Sequence, residues 1–215
     1  MQENVVITGG EGGLGHALAA AFTAAGHAVE APGRTGLDVR DAPTVRAYFR
    51  DRKTGLLICN AGLTRDGLLP KLTETDWDEV LAVNLRGAAL CAAAVSRNMI
   101  RARRGHIIFI SSHSAIHPPA GQAAYAAAKA GLIGLGKTLA KELGPTSIRV
   151  NVVLPGFLET KMTASLSAER LQQVKSEHVL GRFNTPEAVA NFMVMLHEKM
   201  PHTSGQVFQL DSRVG

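Results

Sequence analysis

Residues 5–15 read Val5-Val6-Ile7-Thr8-Gly9-Gly10-Glu11-Gly12-Gly13-Leu14-Gly15. A short apolar run is stopped by a cluster of glycines. Beyond it Leu14, Leu18, Ala21, Phe22 and Ala25 recur at helical spacing. The pattern predicts a strand, a glycine turn and a helix. Gly26 closes that helix, and Ala28-Val29 begins a second strand. Glycines let a backbone approach a pyrophosphate closely, and a helix N-terminus offers unpaired N–H groups and a partial positive charge to it. The spacing Gly9-x3-Gly13-x-Gly15 differs from the more familiar dinucleotide fingerprint, and taken alone it also reads as a flexible loop.

The alternation continues outward from this turn. Leu56-Leu57-Ile58 reads as a strand, and Glu74 to about Arg103 as one long helix. Ile107 to Ile110 is a continuously apolar strand, covered on both faces by its composition. Ala123 to Leu143 is an Ala-rich helix. Val150 to Val153 is a strand stopped by Pro155-Gly156, Pro186 opens another helix, and Val207 to Leu210 is a last strand. Strands alternating with helices predict an α/β fold, a Rossmann-type doubly wound parallel sheet in three layers.

The chain of 215 residues suits a single domain, 1–215. Its composition, 46% hydrophobic and 19% charged, is that of a globular protein. No apolar run approaches the roughly 18 residues that a membrane-spanning helix needs, and Met1 to Gly10 has no basic stretch followed by a long apolar core, so no secretion signal is expected. Cys59 and Cys91 are expected as reduced core residues in a cytoplasmic compartment. The net charge is +5, which suits acidic small molecules or an acidic carrier protein. The densest basic stretch, Arg97 to Arg104, has no aromatic residues interleaved and reads as a solvated helix end, so no nucleic-acid partner is expected.

Tyr125 and Lys129 lie four apart on a predicted helix, hence on one face and about one turn apart. An ammonium beside a phenol favours the phenolate and lowers its pKa, so that the tyrosine can exchange a proton with a carbonyl or alcohol oxygen. Ser112 stands thirteen residues earlier, at the end of the strand Ile107 to Ile110. A hydroxyl there can donate a hydrogen bond to a substrate oxygen.

Thr8-Gly9-x3-Gly13-x-Gly15, Asn60-Ala61-Gly62, Asn84, Ser112, Tyr125-x3-Lys129 and Pro155-Gly156, in this order, resemble the short-chain dehydrogenases/reductases of the classical type. The resemblance runs through nearly the whole chain and implies an NAD(P)-dependent oxidoreductase with the tetrad Asn84, Ser112, Tyr125 and Lys129. Tyr125 is then the general acid in reduction, and Lys129 lowers its pKa and holds the nicotinamide ribose. Ser112 orients the carbonyl, and Asn84 holds a water in a proton relay. Gly9, Gly13, Leu14 and Gly15 meet the pyrophosphate. Asn60, Ala61 and Gly62, after the fourth strand, line the cofactor, as do Pro155, Gly156, Leu158 and Thr160, the last at the carboxamide. Asp38-Val39 resembles the family pair that contacts the adenine. Gly33 stands where NAD-preferring relatives carry an acid, and Arg34 follows it. An arginine clamps a phosphate well, so NADP(H) is favoured over NAD(H). Glu30 lies too early and reads as a strand surface charge. The helix between the second and third strands is expected to be deleted, since Arg34 leads almost directly to Leu37.

The stretches Asn60 to Leu69, Gly121 to Gly134 and Pro155 to Thr160 resemble the 3-oxoacyl-(acyl-carrier-protein) reductases. They imply reduction of a 3-oxoacyl thioester, carried by acyl-carrier protein or coenzyme A, in fatty acid biosynthesis. Arg103 matches one basic docking position of those reductases. Pro145-Thr146-Ser147 stands at the other, where Lys141 or Arg149 is a candidate substitute. Alternatives are a dehydrogenase of a sugar, polyol or other alcohol, and a non-catalytic cofactor-binding regulator. His113 and His117 are expected as exposed loop histidines beside the substrate, with no metal. The tail Leu210 to Gly215 replaces the paired glycines of relatives at a subunit interface. The Ala-rich faces Ala88 to Ala94 and Ala123 to Ala140 fit a homo-oligomer, a tetramer or dimer.

Overall fold

A computed structural model of the chain describes residues 2–160, 163–164 and 166–213. Six parallel strands form one sheet: β1 (Asn4–Ile7), β2 (Ala28–Glu30), β3 (Thr54–Cys59), β4 (Gly105–Ile110), β5 (Ile148–Leu154) and β6 (Val207–Gln209), in the order β2-β1-β3-β4-β5-β6. The chain leaves β1 for β2 on one side and returns for β3 on the other. The crevice at such a reversal opens beyond the carboxyl ends of the strands.

Alternate strand residues point to opposite faces, and this divides the core in two. Val6, Leu57, Ile107, Phe109, Val150 and Val152 face α2 (Ala42–Phe49), α4 (Ala88–Ala102) and α5 (Ala123–Leu143). Val5, Ile7, Leu56, Ile58, Ile108 and Val153 face α1 (Gly13–Ala24) and α7 (Pro186–Lys199). Every residue of β3 and β4 is buried, which is why those strands are apolar without alternation. Cys59 and Cys91 are buried free thiols in the first of these cores.

The stretch from Ala31 to Asp41 is turn and extended chain with no helix. It also contains no strand at Leu37–Val39, because this segment pairs with no neighbour. Asn60 therefore follows the third strand of this sheet, not a fourth.

The expected single helix from Glu74 to Arg103 is three segments: α3 (Glu74–Leu81), a π-helical turn (Ala82–Gly87) and α4. Arg103 ends it with φ +47° in the left-handed region. By length and composition this run is apolar enough to cross a membrane, contrary to the expectation that no such run exists. It is instead a core helix that buries Cys91, Ala92, Val95 and Met99 against the sheet. Two helices were not anticipated from periodicity. In α2, Val45 and Phe49 are buried and Asp41 caps Thr44 N. In α6 (Ala168–Ser176) only Val174 is buried, and Ser167 accepts from Arg170 N.

Candidate active site

The carboxyl ends of β1 to β5 converge on one cavity of about 1340 Å³. The turn after β1 is fixed to the turn after β3 by a reciprocal clasp. Thr8 Oγ1 accepts from the N–H groups of Asn60 and Ala61, both at 3.1 Å. Asn60 Nδ2 donates to the carbonyls of Thr8 and Gly9 at 3.1 and 3.0 Å. Gly9 has φ +69°, and a Cβ there would lie 2.8 Å from Ala61 Cα. Gly15 lets α1 begin against Gly9, where a Cβ would stand 2.5 Å from the Gly9 carbonyl oxygen. The N-terminus of α1 has no side-chain cap, so its N–H groups face the cavity available to an anion. Gly13 lies across from Thr160, whose Cγ2 would be 3.2 Å from an added Cβ.

Gly9, Gly13, Leu14, Gly15, Asn60, Ala61 and Gly62 all line this cavity. So do Pro155, Gly156, Leu158 and Thr160 on the opposite rim. The residues present fit a dinucleotide: a glycine cradle that any Cβ would fill, beneath an uncapped helix end. Arg34, Asp38 and Val39 line its far end. Arg34 is largely exposed, with Nε 3.9 Å from Asp38 Oδ2. The Asp38 carboxylate is held to about 2 chiefly by hydrogen bonds from Arg40, at 2.6 to 3.2 Å. Val39 is buried against Gly87.

At the centre, Ser112 follows β4 and Tyr125 and Lys129 project from the first turns of α5. Burial pushes the Tyr125 phenol up to about 12, and the neighbouring Ser112 hydroxyl pulls it the other way. Lys129 is buried, donates to the Ile110 carbonyl at 2.8 Å, and is lowered to about 8 by that burial. Its Nζ is 5.5 Å from the Tyr125 ring centroid. Burial dominates both groups, and Ser112 is the neighbour that favours the phenolate.

Asn84 is buried behind this wall, in the π-helical turn, and does not line the cavity itself. Its Nδ2 donates to Leu63 O at 2.8 Å and Val80 O at 2.9 Å. Its Oδ1 is buried without a partner. A Cβ at Gly62 would lie 2.7 Å from that oxygen and 3.5 Å from Lys129 Nζ, so both polar atoms surround the space that Gly62 leaves. π-turns recur at functional sites because they re-aim a side chain without ending the helix.

Several lining groups had no clear signal in the sequence. Arg213 lines the cavity and donates to Asp211 Oδ2 through Nε at 2.7 Å, so the tail folds back over the site. Val214 and Gly215 lie outside the described residues. Arg170 and Glu177 come from α6 and the residue after it. His113 is half-buried rather than exposed and stacks on the exposed His117 at 4.7 Å; the loop after Ser112 turns inward as a 3-10 turn capped by that serine. Arg149 does not offer a docking charge, because its guanidinium donates to the carbonyls of Leu196, His197 and Met200.

A family model described as Enoyl-(Acyl carrier protein) reductase matches residues 4–212. The chain is 46% identical over 157 residues to the 3-oxoacyl-[acyl-carrier-protein] reductase FabG of Aquifex aeolicus, covering 73% of this chain and 63% of that protein, so the match spans less than two thirds of that relative. It is 34% identical to the 3-oxoacyl-[acyl-carrier-protein] reductase FabG of Chlamydia trachomatis, over 98% of this chain and 96% of that one. A crystal structure from Beutenbergia cavernae, described as an NAD(P)-dependent gluconate 5-dehydrogenase with NADP bound, superposes with a TM-score of 0.94 at 28% identity, covering 98% of this chain and 95% of that chain.

Proposed function

The chain belongs to the short-chain dehydrogenase/reductase family of NAD(P)-dependent oxidoreductases, and from that premise we propose that it reduces a 3-oxoacyl thioester to the 3-hydroxyacyl thioester. The observation that carries the reading is the meeting of Ser112, Tyr125 and Lys129 on the wall of the cavity that also holds the glycine turn.

A bound nicotinamide dinucleotide supplies the hydride. The glycine turn and the free N–H groups of α1 hold its pyrophosphate. Arg34 is exposed at the far end and suits a 2′-phosphate, which favours NADP(H). Tyr125 is protonated at neutral pH and gives its proton to the substrate carbonyl oxygen. Ser112 donates to the same oxygen and steadies the charge that develops there. Lys129, a cation below about pH 8, hydrogen bonds the ribose and the proton path beside Tyr125. The unpaired Asn84 Oδ1 accepts at the other end of that path.

The thioester is supported by the names of the relatives above and by the net charge of +5. Arg103 lies exposed, donating to Pro145 O at 3.2 Å, where an acidic carrier would approach. The Ala-rich sides of α4 and α5 suit self-association. A second reading, oxidation of a sugar acid or polyol, is favoured by the Beutenbergia cavernae neighbour and by Arg170 and Arg213 on the cavity wall. A panel of acetoacetyl-coenzyme A against keto-sugar acids, each with NADPH and NADH, separates the two. The thioester is expected to give the higher kcat/KM, and turnover of sugar acids alone replaces the first reading with the second.

A further inference from the structure

At the end of β2 the chain turns at Gly33, a residue with no side chain of its own to offer. The space that a side chain there would fill is not open. A Cβ at Gly33 would fall on the carboxylate of Glu11, which reaches over from the glycine turn. The two segments are held in this relation by their backbones. Gly10 N donates to Pro32 O at 3.2 Å, and a Cβ at Gly10 would collide with the carbonyl of Ala31. Glu11 is exposed, lines the cavity, and makes no hydrogen bond or ion pair among the described residues. The nearby Asp38 carboxylate, by contrast, is consumed by Arg40.

An acid about twenty residues beyond a glycine turn hydrogen bonds the ribose 2′-hydroxyl of a dinucleotide, whereas a nearby arginine accommodates a 2′-phosphate. We propose that Glu11 supplies this carboxylate from within the glycine turn itself and so determines cofactor selectivity. It accepts a hydrogen bond from the 2′-hydroxyl of NAD(H) and opposes the 2′-phosphate of NADP(H), which Arg34 attracts. Two groups of opposite sign then read the same position. The chain accepts both dinucleotides, and Glu11 restrains the preference that Arg34 creates.

The proposal rests on reading the cavity as a dinucleotide site. Its test is equilibrium binding of NADH and NADPH, followed by reduced-nicotinamide fluorescence, for the wild type and Glu11→Gln. The side chain is exposed, and circular dichroism checks that the variant is folded. Glu11→Gln is expected to weaken NADH, strengthen NADPH, and move the affinity ratio roughly tenfold toward NADPH. A ratio that moves less than about twofold, with both dinucleotides bound, overturns the role of Glu11 and leaves the site intact. A wild type that binds neither dinucleotide overturns the site and this proposal with it.

Discussion

Tyr125 and Lys129 share one face of α5, as a spacing of four requires, and their placement beside Ser112 was legible from that spacing together with the family resemblance. Their protonation was not. The spacing carries no information about burial, and burial is what raises the phenol to about 12 and lowers the ammonium to about 8. Lys129 is also a cost to the fold. Its pKa falls from 10.5 to about 8, so at neutral pH the charged form is held in the protein at an expense of about 3 kcal/mol. Its hydrogen bond to Ile110 O offsets about 1 kcal/mol of that. Lys129→Met is therefore expected to raise the melting temperature at neutral pH while lowering turnover. A thermal melt checks the first; a melting temperature that falls sinks this account of the buried ammonium. The role of Gly33 was only half legible. Its lack of a side chain was plain, but the Glu11 carboxylate that fills its place comes from a different segment.

Among the elements, the strands with unbroken apolar runs were legible because both faces of β3 and β4 are covered. The helices α2 and α6 were not, since two buried residues in the one and one in the other leave little periodicity to read. The π-turn at Ala82–Gly87 is invisible to a period of 3.6. Where α7 meets β1, β4 and β5, long-range packing builds a chain of histidines. Asn151 Oδ1 accepts from Gln206 N and its Nδ2 donates to Thr203 O, which fixes the amide. Asn151 Nδ2 therefore donates to His106 Nε2 at 3.0 Å. Neutral His106 then carries its proton on Nδ1, which donates to His197 Nδ1 at 3.3 Å. His197 Nε2 faces Glu3 Oε2 at 3.5 Å. Burial holds His106 well below its ordinary value of 6.5, with Arg149 and His197 adding to the effect. The unfolded chain thus binds the extra proton first. Stability is fully present above about pH 6.5 and declines as the pH falls below it, by up to about 1.4 kcal/mol per pH unit. Urea midpoints at about pH 7.5 and about pH 5 read this; midpoints that do not fall on acidification sink the neutral-histidine assignment.

For the molecule as a whole, the short path from β2 to α2, with neither helix nor strand along it, decides the shape of the site. The sheet ends at β2, a strand of three residues, and the segment carrying Arg34, Asp38 and Arg40 lies beyond it as a turn. The missing helix was legible as a missing length of chain. The missing strand was not, because Leu37 and Val39 are apolar in either case and are buried here without pairing. The far rim is likewise a product of the whole fold. The tail returns Arg213 to the cavity through Asp211, and Asp211 in turn packs where Gly156 has no Cβ. One cavity, built at the ends of β1 to β5, thus brings the glycine turn, Ser112, Tyr125 and Lys129 to a single space. The most direct test of that unity is the rate of NADPH-dependent reduction of acetoacetyl-coenzyme A by the wild type and by Tyr125→Phe. The account predicts turnover by the wild type and a loss of about 10²- to 10⁴-fold in the variant, with dinucleotide binding retained. Equal rates in the two proteins would contradict it.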